Sequence, residues 1–87
     1  MRESTEKALG AEVVVDARGL YCPVPLLRLK RRLRDVPPGS PVRLLATDPA
    51  APLDVAAFCN IEGHAFDGQT LREDGVIEIA LHVGGVV

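Results

Sequence analysis

From Ile77 to Val83 the side chains alternate strictly, with Ile77, Ile79, Leu81 and Val83 apolar and Glu78, Ala80 and His82 standing between them. A period of two belongs to a pleated strand with one dry and one wet face. Upstream, HAFDGQTLR runs into Glu73-Asp74-Gly75, a turn sequence, so residues 64–83 are predicted to form a β-hairpin. An isolated hairpin is at best marginally stable in water, so the rest of the chain must supply more strands and a layer over the dry face.

Those elements are visible upstream. EVVVDA places three consecutive valines between polar residues and predicts a short buried strand over 12–16. From Pro25 the apolar positions Leu26, Leu29, Leu33 and Val36 recur at three- and four-residue steps, with Arg28, Arg31, Arg32 and Asp35 on the opposite side, which is the pattern of an amphipathic helix. PVRLLAT, 41–47, again reads as a strand. A second helix is expected over about 50–62, with Asp48 as its N-cap, prolines in its first turn and Gly63 as its stop. The order is βαβαββ. Strands joined through helices run parallel by a right-handed crossover and the hairpin adds an antiparallel pair. The fold class is therefore α+β: a two-layer α/β sandwich, a mixed four-stranded sheet with two helices on one face.

Residues 1–11 are polar and expected to be flexible, and 12–84 are expected to form a single domain. No apolar stretch resembles a signal sequence or approaches the roughly 18 residues of a membrane span, so a cytoplasmic protein without membrane contact is expected. With two Phe, one Tyr and no Trp, the chain lacks the stacking surfaces that bases or flavins use. Net charge is -2 but unevenly spread: residues 1–43 carry nine Lys/Arg against five Asp/Glu, and residues 44–87 one against seven.

The residue that stands out chemically is Cys22, in GLYCPVPLL. It falls between the end of a strand and the start of a helix, the edge of an α/β sheet where reactive groups gather. Pro23 steers Cys22 toward extended backbone, and Pro25 already has the φ of a first helical turn. The free N–H groups of Val24 and Leu26, the positive end of the helix dipole and the nearby Arg18 and Arg28 are expected to lower the thiol pKa and make Cys22 a nucleophile.

Cys22-Pro23-Val24-Pro25 matches the CPxP motif of the TusA/SirA-like sulfur carrier proteins. DARGLYCPVPLL, PPGSPVRLLATDP, DVAAFC and EGH also resemble that family in order and spacing, over about residues 14–83. The resemblance implies a sulfurtransferase-type carrier, acting with partner enzymes, in which Cys22 accepts a sulfur as a persulfide and Pro23 and Pro25 shape its loop. It also implies two kinds of partner: a cysteine desulfurase or other persulfide donor, and a downstream sulfur-acceptor protein serving tRNA thiolation, cofactor assembly or sulfur oxidation. No cofactor is required in this chain; pyridoxal phosphate belongs to the desulfurase. Ala65 departs from the family, many of whose members carry an acidic residue there.

A persulfide carrier is served by a solitary thiol, because a second one in reach would expel sulfide and close a disulfide. Cys59 shares a helical stripe with Val55 and Phe58 and is expected to be buried, out of reach of Cys22. His64 and His82 lie on different strands and make no metal-ligand spacing with the cysteines, so no metal site is assigned. The cations of the first helix, Arg28, Arg31 and Arg32 foremost, are candidates for docking an acidic partner surface. The rival reading is a small nucleic-acid-binding or regulatory interaction module; few aromatics and the acidic balance weigh against nucleic acid, and none is expected to bind directly.

Overall fold

The computed structural model describes residues 12–84; the flexible segment expected over residues 1–11 lies outside the described residues. Four strands and two helices follow in the expected order: β1 (Val13–Ala17), α1 (Val24–Leu33), β2 (Pro41–Ala46), α2 (Ala51–Glu62), β3 (Ala65–Leu71) and β4 (Ile77–His82). The sheet order is β1-β2-β4-β3, with β1 and β2 parallel and the other two pairings antiparallel.

Register explains the two faces. Val15, Ala17, Val42, Leu44, Ala46, Ile79 and Leu81 point into one core with Leu29, Val55, Phe58 and Cys59 from the helices. Their neighbours Val14, Arg43, Glu78 and His82 lie on the opposite face, where Arg43 pairs with Glu78 at 2.6 Å and with Glu12 at 3.0 Å. The alternation of β4 is thus realised as predicted. The valine run is a partial correction: Val15 is buried, but Val14 is 54% exposed, because β1 is an edge strand covered on one face only. It also starts and ends one residue later than expected.

In α1, Leu29 and Pro25 are buried, and Leu26 and Leu33 pack against the core. α2 buries Ala51, Val55, Phe58 and Cys59, the stripe read from sequence. It stops at Gly63, whose φ of 83° belongs to the left-handed region and whose N–H closes on the Cys59 carbonyl at 2.9 Å. Burial of this all-aliphatic interior is the main stabilising term. It also fixes where the strand ends, and hence the loops above them, must lie.

Candidate functional site

Ala17 pairs with Ala46, so the parallel strands β1 and β2 finish side by side and release their loops at the same edge of the sheet. Each loop leads into a helix with a proline in its first turn. The loops are tied together. Gly19 N–H donates to Thr47 Oγ1 at 2.9 Å, and Cys22 N–H donates to Asp48 Oδ2 at 2.7 Å. Gly19 has φ 80°, which a side chain would strain, and the turn it makes brings Leu20 N–H back to the Ala17 carbonyl at 3.2 Å.

Asp48 is the organising residue. Although charged, it is 8% exposed. One carboxyl oxygen accepts Ala50 N–H at 3.0 Å, the other holds Cys22, and its own carbonyl accepts Ala51 N–H at 3.0 Å. The backbone donors of Ala50 and then Cys22 hold its pKa below the usual carboxylate value. The expectation of Asp48 as the N-cap is corrected: the cap position of α2 is Ala50, and Asp48 stands two residues before it. Asp48 shapes the turn before α2, and with its second oxygen it fixes the backbone of the loop opposite.

Cys22 itself is exposed, as are its neighbours Tyr21 and Pro23. Pro23 immediately precedes α1, and Pro25 is buried in that helix's first turn, so one proline shapes the exposed loop and the other anchors it. The expected lowering of the thiol pKa is overturned. The carboxylate of Asp54, then partial desolvation and the negative charge of Asp48, raise it above the ordinary cysteine value. Three of the groups invoked from sequence are engaged elsewhere. Val24 N–H donates to the Tyr21 carbonyl at 2.8 Å, Arg18 grips the Asp16 carboxylate at 2.7 Å, and Arg28 reaches the Asp16 carbonyl at 3.3 Å. Arg18 holds the Asp16 carboxyl down to about 2.

Asp54 and Thr47 were not singled out from the sequence. Both belong to the β2–α2 segment, and only the pairing of β1 with β2 brings that segment over Cys22. A parallel β1–β2 pair was itself expected, so the juxtaposition of Asp48 with Cys22 could have been read from the topology.

Cys59 is fully buried and, like Cys22, a free thiol. His64 accepts the Gly84 N–H on Nδ1 at 2.8 Å and lies 5.1 Å from the Phe58 ring, a structural setting at the far end of α2. His82 pairs through Nδ1 with Asp67 on the neighbouring strand. Among the described residues no group of three or more His, Cys, Asp or Glu could hold a metal ion. Arg31 and Arg32 are exposed on α1 and make no ion pair with another described residue, whereas Arg28 is committed to Asp16.

An exposed cysteine at a proline-shaped helix start, fastened by a buried aspartate from the adjacent loop, is the setting onto which the CPxP resemblance falls. Residues 13–83 match the family model described as sulfurtransferase TusA. The chain belongs to this family. A sulfur carrier protein TusA of Pseudomonas syringae is 36% identical over 67 residues, spanning 77% of this chain and 80% of that one. One from Pseudomonas aeruginosa is 40% identical over 53 residues, 61% of this chain and 67% of its own. The crystal structure of a SirA-like protein from Desulfitobacterium hafniense superposes with a TM-score of 0.74 at 25% identity, covering 83% of this chain and 97% of that one. Among the described residues no helix is long and apolar enough to cross a membrane.

Proposed function

We propose that this chain is a sulfur carrier that takes a sulfane sulfur onto Cys22 from a persulfide donor, such as a cysteine desulfurase, and hands it to an acceptor protein. The observation that carries the reading is the exposed Cys22 on a loop fixed through its backbone to Asp48, while the other thiol is buried in the core. A carried sulfur needs two partners in turn, which favours a thiol on a rim, and it needs to be out of reach of a resolving thiol.

Loading is a displacement at sulfur. The Cys22 sulfur attacks the outer sulfur of the donor R–S–SH, the S–S bond of the donor breaks, and R–S⁻ leaves and takes up the proton released by Cys22. The products are Cys22–S–SH and R–SH, with no net oxidation. Unloading repeats the step with an acceptor thiolate, which acquires the outer sulfur and returns Cys22 as a thiol. Asp54, whose carboxylate raises the thiol pKa, would receive that proton on its way to the leaving group. Arg31 and Arg32 supply cations for docking beside the reactive loop. A reducing cytoplasm, which keeps thiols free, suits this chemistry. The receiving process would be tRNA thiolation, cofactor assembly or sulfur oxidation.

The test is direct. Incubation with a cysteine desulfurase and cysteine should add about 32 Da to the intact protein, one sulfur atom, reversed by thiol reductants. Absence of the added mass with both a desulfurase and a small-molecule persulfide would refute the reading.

A further inference from the structure

The edge of the sheet beside the reactive loop has the features of a strand-docking site. β1 is bonded to β2 on one side only and, among the described residues, has no strand on the other. In a parallel ladder the N–H and C=O of one residue point to the same side, and residues two apart share that side. The Asp16 carbonyl is met by Arg28 Nη1 at 3.3 Å, so it points away from β2. Val14, two residues earlier, therefore directs its N–H and C=O to the same open edge.

Against that edge lies a groove of about 710 Å³ between β1 and α1. Its lining combines the exposed apolar side chains of Val24, at 41%, and Leu27, at 55%, with the cations Arg28, Arg31 and Arg32, which outnumber the acidic Asp16 and Asp35, and with the edge of β1 at Val14. α1 carries three basic residues in its last turn and no acidic residue in its first. Val24 is two residues from Cys22, so the groove runs directly from the reactive loop.

We propose that this edge and groove dock an extended acidic segment of a protein that exchanges sulfur with this chain, the segment joining the sheet alongside β1. An extended strand sends alternate side chains to opposite sides. Those on the α1 side then cover Val24 and Leu27 with apolar groups and, further along the helix, meet Arg31 and Arg32 with acidic ones, while the backbone pairs with Val14 and Asp16. The long contact from Arg28 to the Asp16 carbonyl is displaced by an incoming amide, which frees that guanidinium for a carboxylate. That the occupant belongs to a sulfur-exchange partner rests on the carrier reading above; the strand addition does not.

The probe is a fluorescein-labelled octapeptide whose alternate residues, those directed to α1, are two valines followed by two glutamates with threonine between them, titrated into the full chain by anisotropy and followed in amide NMR spectra. The expected result is binding that shifts the Val14 and Asp16 amides. Methylating the peptide nitrogens that face β1 should weaken it about tenfold, since each lost backbone hydrogen bond costs on the order of 1 kcal/mol. Arg31→Glu with Arg32→Glu should weaken it by a similar factor and flatten its salt dependence. Unchanged Val14 and Asp16 amides, equal affinity for the methylated peptide, or light scattering that shows a second copy of this chain already covering the edge would each overturn the proposal. Sulfur loading is scored separately from a small-molecule persulfide: a chain that binds the peptide but takes no sulfur refutes the carrier reading alone, and one that loads but binds no peptide refutes the docking site alone.

Discussion

The two thiols of this chain are both shifted toward the protonated form, for unlike reasons. Cys22 is exposed and its proton is held chiefly by the carboxylate of Asp54, whereas Cys59 is enclosed in the core and its proton is held chiefly by burial. The first cause is specific and removable, because one carboxylate creates it. The second is collective and comes from every apolar neighbour at once. Reactivity on demand is compatible with the first setting alone, since a partner that displaces the thiol from Asp54, or that receives its proton, releases the nucleophile.

The largest effect that tests this contrast is complete loss of function at one site and none at the other. Cys22→Ser should abolish the one-sulfur mass gain, because a hydroxyl is a poor nucleophile toward a persulfide, while leaving the melting curve close to that of the wild type. Cys59→Ser should do the reverse. It places a hydroxyl among Val55, Phe58 and the strand residues of the core, at a cost of about 1–3 kcal/mol by chemical denaturation, but below its unfolding transition the protein should still load to one sulfur. A variant Cys59→Ser that folds and cannot load would mean that the buried thiol takes part in the chemistry.

The same contrast marks the limit of what the sequence makes legible. Cys59 is decided by local periodicity: its stripe with Val55 and Phe58 assigns its burial without further knowledge. Likewise the alternation from Ile77 places β4, and the spacing of Leu26, Leu29 and Leu33 places α1, although the helix stops at Leu33 and Val36, read as part of its stripe, lies beyond it. Cys22 is different, because its environment is built by residues 25–32 positions away. The local cues, two prolines and two arginines, are real but point to the wrong electrostatics, since Asp16 consumes the arginines and Asp48 and Asp54 arrive from the β2–α2 segment. Val14 fails similarly: a triplet of valines cannot show that β1 lies at a sheet edge.

A smaller effect follows from removing the specific cause. Asp54→Asn withdraws the negative charge that raises the Cys22 pKa, so the thiolate fraction at neutral pH increases and iodoacetamide alkylation should quicken severalfold, with its pH profile moved toward lower pH. If Asp54 also receives the proton during transfer, the same variant should load sulfur more slowly in spite of its more abundant thiolate. Faster alkylation with faster loading would leave Asp54 as a restraint only. Unaltered alkylation would show that another group protects the thiol.

The smallest effect concerns the collective cause, and it is read in stability instead of rate. Cys59 has a folded-state pKa raised by burial and, secondarily, by the charge of Asp67. In the unfolded chain it titrates near the usual value of about 8.5. A raised folded pKa means that the unfolded chain loses its proton first, so the contribution of this thiol is fully present below about 8.5 and is lost as pH rises from there through the folded value. Lys, Tyr and Cys22 titrate over the same range, so the measurement is a difference: denaturation midpoints of wild type and Cys59→Ala compared from neutral to alkaline pH. The alanine variant should be the less stable at neutral pH, for want of the sulfur's packing, and the gap should narrow as pH rises. The same comparison for Cys22→Ala, made in the Asp54→Asn background that removes the main cause of its raised pKa, should show no comparable narrowing. A constant difference across the range for Cys59 would mean that its proton can leave without disturbing the core, and the two thiols would then differ in position but not in kind.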